Sequence, residues 1–510
     1  MGAATAAFLT FVAAGSVLVL EIAAGRLLAP YVGVSLLTYT GIIGVILAGI
    51  AAGAWAGGRA ADRFGPLRLL GPTFVAGGLA AVAAVPIVSL VGAANLGPQV
   101  VEIVILAAAG FVAPATIVSA VAPMIVRATI VDVGSSGALV GRLSAVGTVG
   151  AIAGTFLTGF VLLGVVPTRL IIVGTGALLV AVGLAVGLRG GRAGSAGRNG
   201  GAARAGGSTI AVLVALGVAS AGAAAAPAAC DAESAYYCIR IVEDPAQPAG
   251  RTLVLDGLAH AHVDLADPTV LRFGYIRRFA DVVAVVLSAR MSGTAGNGDP
   301  PPAVLHVGGG GFSFPRYLAA TVPGVRQTVL ELDPAVLAIN RERLGFAPSN
   351  DLRVVLGDAR LSVAGEASGA YDLVVGDAFG GLAVPWHLTT TEFLGEVRRV
   401  LRPGGTYAMN VIDYAPLGFL RAEVATARSV FGEVAVLGHP GELGGVGGGN
   451  FVVVTSSRPI DVAALRRRID GLGDPDTVGI LAGGADVAAW LGGATPLTDE
   501  LAPVDQLLGR

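Results

Sequence analysis

Ala303-Val304-Leu305-His306-Val307, followed by Gly308-Gly309-Gly310-Gly311, decides how the second half of this chain folds. A short run dominated by apolar, mostly branched side chains reads as a buried strand, and the glycines that close it allow a turn that larger residues would block. A helix is expected to begin near Phe314. Such a strand–glycine–helix unit lets a ligand approach the backbone closely, but a single glycine-rich turn is weak evidence by itself. The spacing of the motifs that follow carries the argument.

Val329-Leu330-Glu331-Leu332-Asp333 reads as a second strand ending in acids about twenty residues later, where a carboxylate can accept both ribose hydroxyls. Val354 to Ala359 contains a third strand, with Asp358 placed to face an adenine amino group, and Tyr371 to Asp377 forms a fourth. Leu401-Arg402-Pro403-Gly404-Gly405 turns into a fifth, Thr406 to Val411. That order is the layout of class I adenosylmethionine-dependent folds. Each acid alone would serve as a helix cap or a solvated strand end; at these intervals they read together as a ligand-binding set. Upstream, Tyr236 to Val242 and Arg251 to Gly257 are strand-like and suggest a small N-terminal β-subdomain. The fold class expected for this half is an α/β, Rossmann-type, class I methyltransferase-like domain.

The first half is a different material. Hydrophobic residues make up 54% of the chain and charged ones only 13%, and the mean hydropathy is +0.76, so much of the surface must face lipid. The excess is concentrated before residue 228. Spans are expected at 6–28, 36–57, 69–93, 101–125, 143–165 and 168–188, with a weaker, Ala-rich seventh at 208–228. The domain plan is therefore a multi-pass α-helical membrane domain over 1–188, a Gly/Ala/Arg/Ser-rich linker over 189–207, a seventh helix over 208–228, a β-subdomain with a connecting helix over 229–300, and the Rossmann-type domain over 301–510. The net charge is −2, every cation is Arg, and nothing reads as a nucleic-acid surface.

Arginine also orients the chain, because short cytoplasmic loops are enriched in positive charge. Arg59, Arg63, Arg68, Arg127, Arg142, Arg189, Arg192, Arg198 and Arg204 follow spans two, four and six, whereas the opposite loops offer only Arg26 and Arg169. The N-terminus is expected in the cytoplasm and, if the seventh segment spans, the C-terminal domain outside. Cys230 and Cys238, the only cysteines, are expected to form a disulfide in that compartment; in the cytosol they would be two packed thiols. No further ligands stand at metal-binding spacing, so no metal is expected. Glu21 and Arg26, ionisable groups within or just past a span, are expected to form a structural ion pair.

Two resemblances follow from these residues. Gly57-Gly58-Arg59-Ala60-Ala61-Asp62-Arg63-Phe64-Gly65, placed as a tight turn between spans two and three, resembles the loop signature of major facilitator transporters. Val304 to Gly311, Glu331 to Pro334, Gly357 to Arg360 and Tyr371 to Asp377, with Asp256-Gly257 and Glu392-Phe393, resemble the successive motifs of spermidine synthases over roughly residues 235 to 455. With its membrane half, the chain looks like bacterial fused transporter-like and spermidine-synthase-like proteins, as do Val384 to Thr389 and Leu497 to Pro503. The bacterial plasma membrane is the location this implies.

The resemblance implies decarboxylated S-adenosylmethionine or S-adenosylmethionine as co-substrate, with Glu331 on the ribose, Asp358 and Ala359 on the adenine, and Gly308, Gly309 and Gly310 beside the sulfur-bearing tail. Asp333 joins this cofactor-binding set. Asp377 is the candidate base, and Tyr275, Trp386 and His387 are candidates for contact with substrate. Two departures accompany it: spermidine synthases carry an Asp after the glycine triplet, here Gly311, and a catalytic Asp three residues beyond the one matching Asp377, here Gly380. Aminopropyl transfer needs carboxylates to hold a diamine cation and take a proton. The function expected is a membrane-bound transferase of this type with its acceptor open; a degenerate nucleoside- or polyamine-binding sensor and a transporter with a regulatory domain are the alternatives. Expected partners are the lipid bilayer, a small-molecule nucleoside, a polyamine and, for a half-sized facilitator, a second copy of the chain.

Overall fold

The computed structural model describes residues 1–94, 98–130, 136–194, 229–288, 300–472 and 477–509, together with helical residues between 212 and 225. Two compact units divide the chain, Met1–Cys238 and Ile239–Arg510.

Among the described residues of the first unit, six helices are long and apolar enough to cross a membrane: α1 (Ala3–Val32), α2 (Leu36–Phe64), α3 (Pro66–Gly92), α4 (Val100–Thr129), α5 (Ser136–Val165) and α6 (Thr168–Leu188). Helices in lipid associate through close packing of small residues more than through apolar burial. Glycine fills that role here. A Cβ on Gly53 would lie 2.1 Å from the Thr116 carbonyl oxygen, one on Gly150 would lie 2.4 Å from that of Phe11, and one on Gly176 would lie 2.6 Å from that of Gly78. Outward faces carry exposed Leu47, Trp55, Leu90 and Phe160, an apolar exterior that water would penalise and lipid accepts.

Three details depart from the sequence reading. The stretch Gly57–Gly65, expected as a loop with a tight turn, is helix as far as Phe64, and the chain turns at its last residue, Gly65, whose φ is +84°. Gly57 instead serves helix packing, since a Cβ there would stand 2.5 Å from the Ala120 carbonyl oxygen. Asp62, in the same stretch, pairs with Arg127 at 3.1 Å. Among the described residues no ion pair joins Glu21 to Arg26; the Arg26 guanidinium donates to the carbonyls of Ser234 at 2.7 Å and Tyr236 at 2.6 Å. Carbonyls supply a buried guanidinium with acceptors and leave no second charge to desolvate. The expected linker begins as helix, because the helix of α6 continues to Gly194, and its remainder lies outside the described residues. Most of the expected seventh span lies outside them too, apart from a shorter apolar helix at Ala215–Ala225.

The first unit ends in a short anchored segment. Cys230 and Cys238 are joined by a disulfide, with Cα atoms 5.2 Å apart. Between them the Glu233 carboxylate accepts the Thr168 backbone N–H at 3.2 Å and the Thr168 hydroxyl, an acid placed at the N-terminus of α6.

In the second unit β1 (Cys238–Asp244), β2 (Gln247–Leu255) and β3 (Leu258–Asp264) form an antiparallel meander. After α7 (Gly274–Val286) comes the main sheet. Its strands and connecting helices are β4 (Ala303–Val307), α8 (Ser313–Thr321), β5 (Arg326–Glu331), α9 (Pro334–Arg343), β6 (Leu352–Leu356), α10 (Ala359–Ala364), β7 (Tyr371–Gly376), α11 (Thr391–Val400), β8 (Leu401–Tyr414), α12 (Gly418–Phe431), β9 (Glu433–Gly438), β10 (Gly448–Ser456), α13 (Val462–Leu472) and β11 (Gly479–Ala482). The order across the sheet is β11-β9-β10-β8-β7-β4-β5-β6. Strands β6, β5, β4, β7 and β8 are parallel neighbours, and β10 runs antiparallel to β8. Phe393, Phe419 and Val424 of α11 and α12 cover one face, and Phe279, Val283 and Leu465 of α7 and α13 cover the other. This is a three-layer α/β/α domain. Strand β8 is longer than expected, absorbing the Leu401–Gly405 turn through a register shift opposite Tyr371 and Leu373 and a left-handed Gly404, φ +82°.

Candidate functional site

Strand β4 pairs with β5 on one side and β7 on the other, so successive crossovers leave it in opposite directions and open a crevice at its carboxyl end. The glycine turn lies there. Gly308 has φ +100° and Gly310 φ +51°, and a Cβ on Gly308 would stand 2.4 Å from the Asp377 carbonyl oxygen. The ends of β4 and β7 thus touch through a position that only glycine fills. The Asp377 N–H also donates to the Val307 carbonyl at 2.8 Å, which fixes the place where β7 releases its carboxylate.

On the β5 side, buried Glu331 accepts N–H bonds from Gly309 at 3.0 Å, Gly310 at 3.3 Å and Asp333 at 2.8 Å. Burial pushes its pKa up, and these donors pull it back down. Glu331 therefore braces the glycine turn. Asp333 accepts the Ala335 N–H at 2.9 Å as the N-cap of α9, and its side chain is buried in that role. Asp358 caps α10 through the Arg360 N–H at 2.8 Å, and its other oxygen lies 3.1 Å from His387 Nε2; Ala359 is buried beside it. Trp386 meets the His387 ring edge-on at 5.8 Å and is exposed. Arg360 pins this segment by donating to the His387 carbonyl at 2.8 Å, to the Thr390 hydroxyl at 2.9 Å and to Asp499. Trp386 and His387 are thus grouped with Asp358, at the expected adenine end, and not with Asp377.

Asp377 stands at the wall of a cleft of about 640 Å³. The Tyr275 hydroxyl donates to its Oδ2 at 3.2 Å and Asn410 Nδ2 donates to its Oδ1 at 3.0 Å. Burial raises the Asp377 pKa to about 6, with both hydrogen bonds opposing the rise. A carboxylate so tuned is ionised at neutral pH yet basic enough to accept a proton. Tyr275 is held on the neutral side, its pKa raised well above 10 by burial and by Asp377.

The two glycines at acid positions differ. A Cβ on Gly311 would come within 2.6 Å of Ala261 Cβ and 3.2 Å of Val263 Cγ2, so β3 has closed over that place. Gly380 has only Pro385 Cγ, at 3.9 Å, near its virtual Cβ. His260 lines the cleft, and burial lowers its pKa to about 4, which keeps the ring neutral. His262, two residues on, is packed away against the Thr252 hydroxyl at 3.2 Å.

Sequence reasoning missed Asn410, Asn450, Arg278, His439 and Glu442, all in the cleft lining. Asn410 left a usable signal: an amide at 2% exposure within the apolar strand Tyr407-Ala408-Met409-Asn410-Val411 needs a specific partner. Arg278 likewise sits in the largely apolar buried face of α7 at 7% exposure, with Asp281 one turn on.

Residues 305–409 match a family model described as a methyltransferase domain. A polyamine aminopropyltransferase from Vibrio vulnificus (strain CMCP6) is 38% identical over 146 residues, covering 28% of this chain and 48% of the relative. The eEF1A lysine and N-terminal methyltransferase of Danio rerio is 31% identical over 125 residues, covering 23% of this chain and 18% of that protein. A solved structure of a probable spermidine synthase from Corynebacterium glutamicum ATCC 13032 aligns with a TM-score of 0.47 at 27% identity, over 53% of this chain and 95% of its own. The chain spans about half, or less, of the length of the curated relatives it matches. By strand order the second unit is an α/β domain of the class I methyltransferase type, with residues 305–409 matching a methyltransferase domain and similar in sequence to a polyamine aminopropyltransferase, and the helices preceding it have membrane-spanning length.

Proposed function

We propose that the protein is a membrane-bound transferase that takes its donor group from decarboxylated S-adenosylmethionine or S-adenosylmethionine and delivers it to an amine. The observation that carries this reading is Asp377, held by Tyr275 and Asn410 at the switch point beside the glycine turn, with its pKa near 6. The nucleoside lies across Gly308–Gly310, with its ribose at Glu331 and its adenine at Asp358 and Ala359, so that the sulfonium faces Asp377. The amine nitrogen attacks the carbon bound to sulfur, the C–N bond forms as the C–S bond breaks, and the thioether nucleoside leaves. Asp377 takes the proton that the nitrogen sheds. Glu331 must turn from the glycine N–H groups to meet a ribose, and the Trp386–His387 segment closes over the adenine.

Membrane insertion of the six helices, with the N-terminus in the cytoplasm, belongs to the same proposal. The placement of residues 229–238 has geometric support: Glu233 bonds to Thr168 at the start of α6, the apolar span then runs 21 residues to Leu188, and the chain must come back to reach Glu233. At 1.5 Å per residue that return is about 30 Å, a bilayer's hydrocarbon core. A seventh crossing within 208–228 meets this need and sets residues 229–238, with their disulfide, at the outer face.

A second reading, a sensor that binds nucleoside without turnover, is favoured by the closed site at Gly311 and by an outward domain cut off from cytosolic adenosylmethionine. Calorimetry on the full chain in detergent with decarboxylated adenosylmethionine, adenosylmethionine and methylthioadenosine tests both. Binding followed by product formation supports the transferase, binding without turnover supports the sensor, and no binding by any of the three sinks both. Glu331→Ala is expected to weaken binding by about tenfold or more, the worth of hydrogen bonds to a charged group.

A further inference from the structure

We infer that Glu423 of α12 is a positioning residue for Asp377, acting through a single water held between its carboxyl group and the Tyr407 hydroxyl. The inference rests on the reading of Asp377 as the base of this site. Glu423 is 1% exposed, and among the described residues neither of its carboxyl oxygens has a hydrogen-bond partner. Buried polar atoms are paired with protein or ordered water in nearly every case, so such an acid calls for a partner. The place for one is present. Glu423 lines a cavity of about 10 Å³, the room that one water takes, together with Tyr407, Gly376, Leu388 and Phe393. Tyr407 is the other titratable group in that lining, and among the described residues no cation lines it. Burial pushes the Glu423 carboxyl well above its usual range and raises the Tyr407 phenol as well. Both therefore keep their protons, and each can donate one hydrogen bond and accept another. A water between them satisfies both.

From this cavity the path to the site is short. Tyr407 stands in β8 opposite Val374 of β7, and its ring stacks on Phe431 of α12 with centroids 6.4 Å apart. Its hydroxyl reaches the last residue of β7, where a Cβ on Gly376 would stand 2.5 Å from the phenol oxygen. The next residue is Asp377. The phenol therefore props the backbone that aims the carboxylate at Tyr275 and Asn410, and Glu423, through the water, fixes where the phenol stands. Without that prop the end of β7 relaxes. The hydrogen bonds from Asn410 and Tyr275, which hold the Asp377 pKa down against burial, then weaken.

Infrared spectroscopy on the full chain in detergent reads both acids without any substrate. A protonated-carboxyl band that persists at neutral pH and is lost in Glu423→Gln is expected from Glu423, and one that grows below about pH 6 and is lost in Asp377→Asn from Asp377. Glu423→Leu and Tyr407→Phe are each expected to move the Asp377 titration upward by about half a unit or more, a fraction of what one hydrogen bond to a carboxylate contributes. Glu423→Gln, which keeps a donor and an acceptor, is expected to leave it in place. Tyr407→Phe is also expected to shift the Glu423 band, because the two groups share a partner. Melting gives a second measurement. A proton retained in the fold stabilises fully below the ordinary glutamate value of about 4.5, and that contribution is lost as pH rises toward the raised folded value. At about pH 5, where keeping the proton costs little, Glu423→Leu is expected to melt a few degrees below the unaltered chain, since it strands the water and the phenol. An Asp377 titration unmoved by Glu423→Leu and Tyr407→Phe, a Glu423 band indifferent to Tyr407→Phe, or higher melting of Glu423→Leu at that pH overturns the inference. A chain that shows these shifts but binds no nucleoside keeps the link from Glu423 to Asp377 and loses the transferase reading.

Discussion

At the residue scale the site turns on one carboxylate whose environment holds it near neutrality. The Asp377 pKa is raised to about 6, so the group is protonated below that pH and available as a base above it. The transferase rate at saturating substrate is expected to climb with pH through about 6 and then level. Asp377→Asn keeps the shape, cannot take a proton, and is expected to lower the rate by about a hundredfold or more, the usual contribution of a positioned base. Steady-state kinetics across the pH range read both, and an acidic limb that persists in the variant would assign it to another group. The glycines at 311 and 380 predict opposite outcomes. Gly380→Asp has room and a permitted backbone, and is expected to tighten diamine binding about tenfold by adding a charge-assisted contact. Gly311→Asp collides with β3 and is expected to melt several degrees lower, as overpacked sites do. Thermal unfolding of the two variants side by side checks the contrast. Local runs of sequence exposed Gly308 to Gly310, Glu331, Asp358 and Asp377 because each closes a strand. Arg278 and Asn450 were not legible, since only the pairing of β8 with β10 and the docking of α7 bring them to Asp377.

At the element scale the membrane helices were read by length, and their packing was not. Apolar spans announce themselves by hydropathy, whereas the small residues that let backbones meet look in sequence like weak helix formers. Gly57 was read as the start of a loop for that reason, although the turn of that stretch falls at Gly65. The structure separates glycines that serve contact from glycines that do not. Gly53→Ala forces a Cβ to within 2.1 Å of the Thr116 carbonyl and is expected to lower the melting temperature of the detergent-solubilised protein, while Gly44→Ala, with nothing within 4 Å, is expected to leave it unchanged or slightly higher. Equal melting of the two variants would show that α2 does not pack on α4 in this way. The five parallel strands were legible as short, largely apolar runs, but β5, β6 and β8 extend beyond the expected bounds, and β3, β9, β10 and β11 were not read.

At the scale of the whole molecule the sequence suggested a direction across the bilayer from arginine placement alone. The Glu233–Thr168 and Arg26–Ser234 contacts tie the segment after α6 to the end of the helices where α1 finishes and α6 begins, the arginine-poor end, so sidedness still follows from arginine placement. A phosphatase reporter that is active only outside the cytoplasm, fused after Arg510, is expected to be active, and inactive when fused after Leu188. The reverse pattern would return the domain to the cytosolic nucleoside pool and remove the ground for a sensor.

The Arg26 contacts also set an order of events in time. The guanidinium is synthesised early, but its carbonyl acceptors lie 208 and 210 residues further along the chain. At about 5–20 residues per second, the ribosome needs roughly 10–40 s to supply them. If α1 inserts in a bilayer as proposed, it has to keep that charge at the headgroup level through the interval, where a long side chain can reach water. The helical bundle thus reaches its final arrangement only when the disulfide-bearing segment emerges, and a ribosome that stalls before Ser234 leaves behind a bundle whose first helix is still waiting for its last contact.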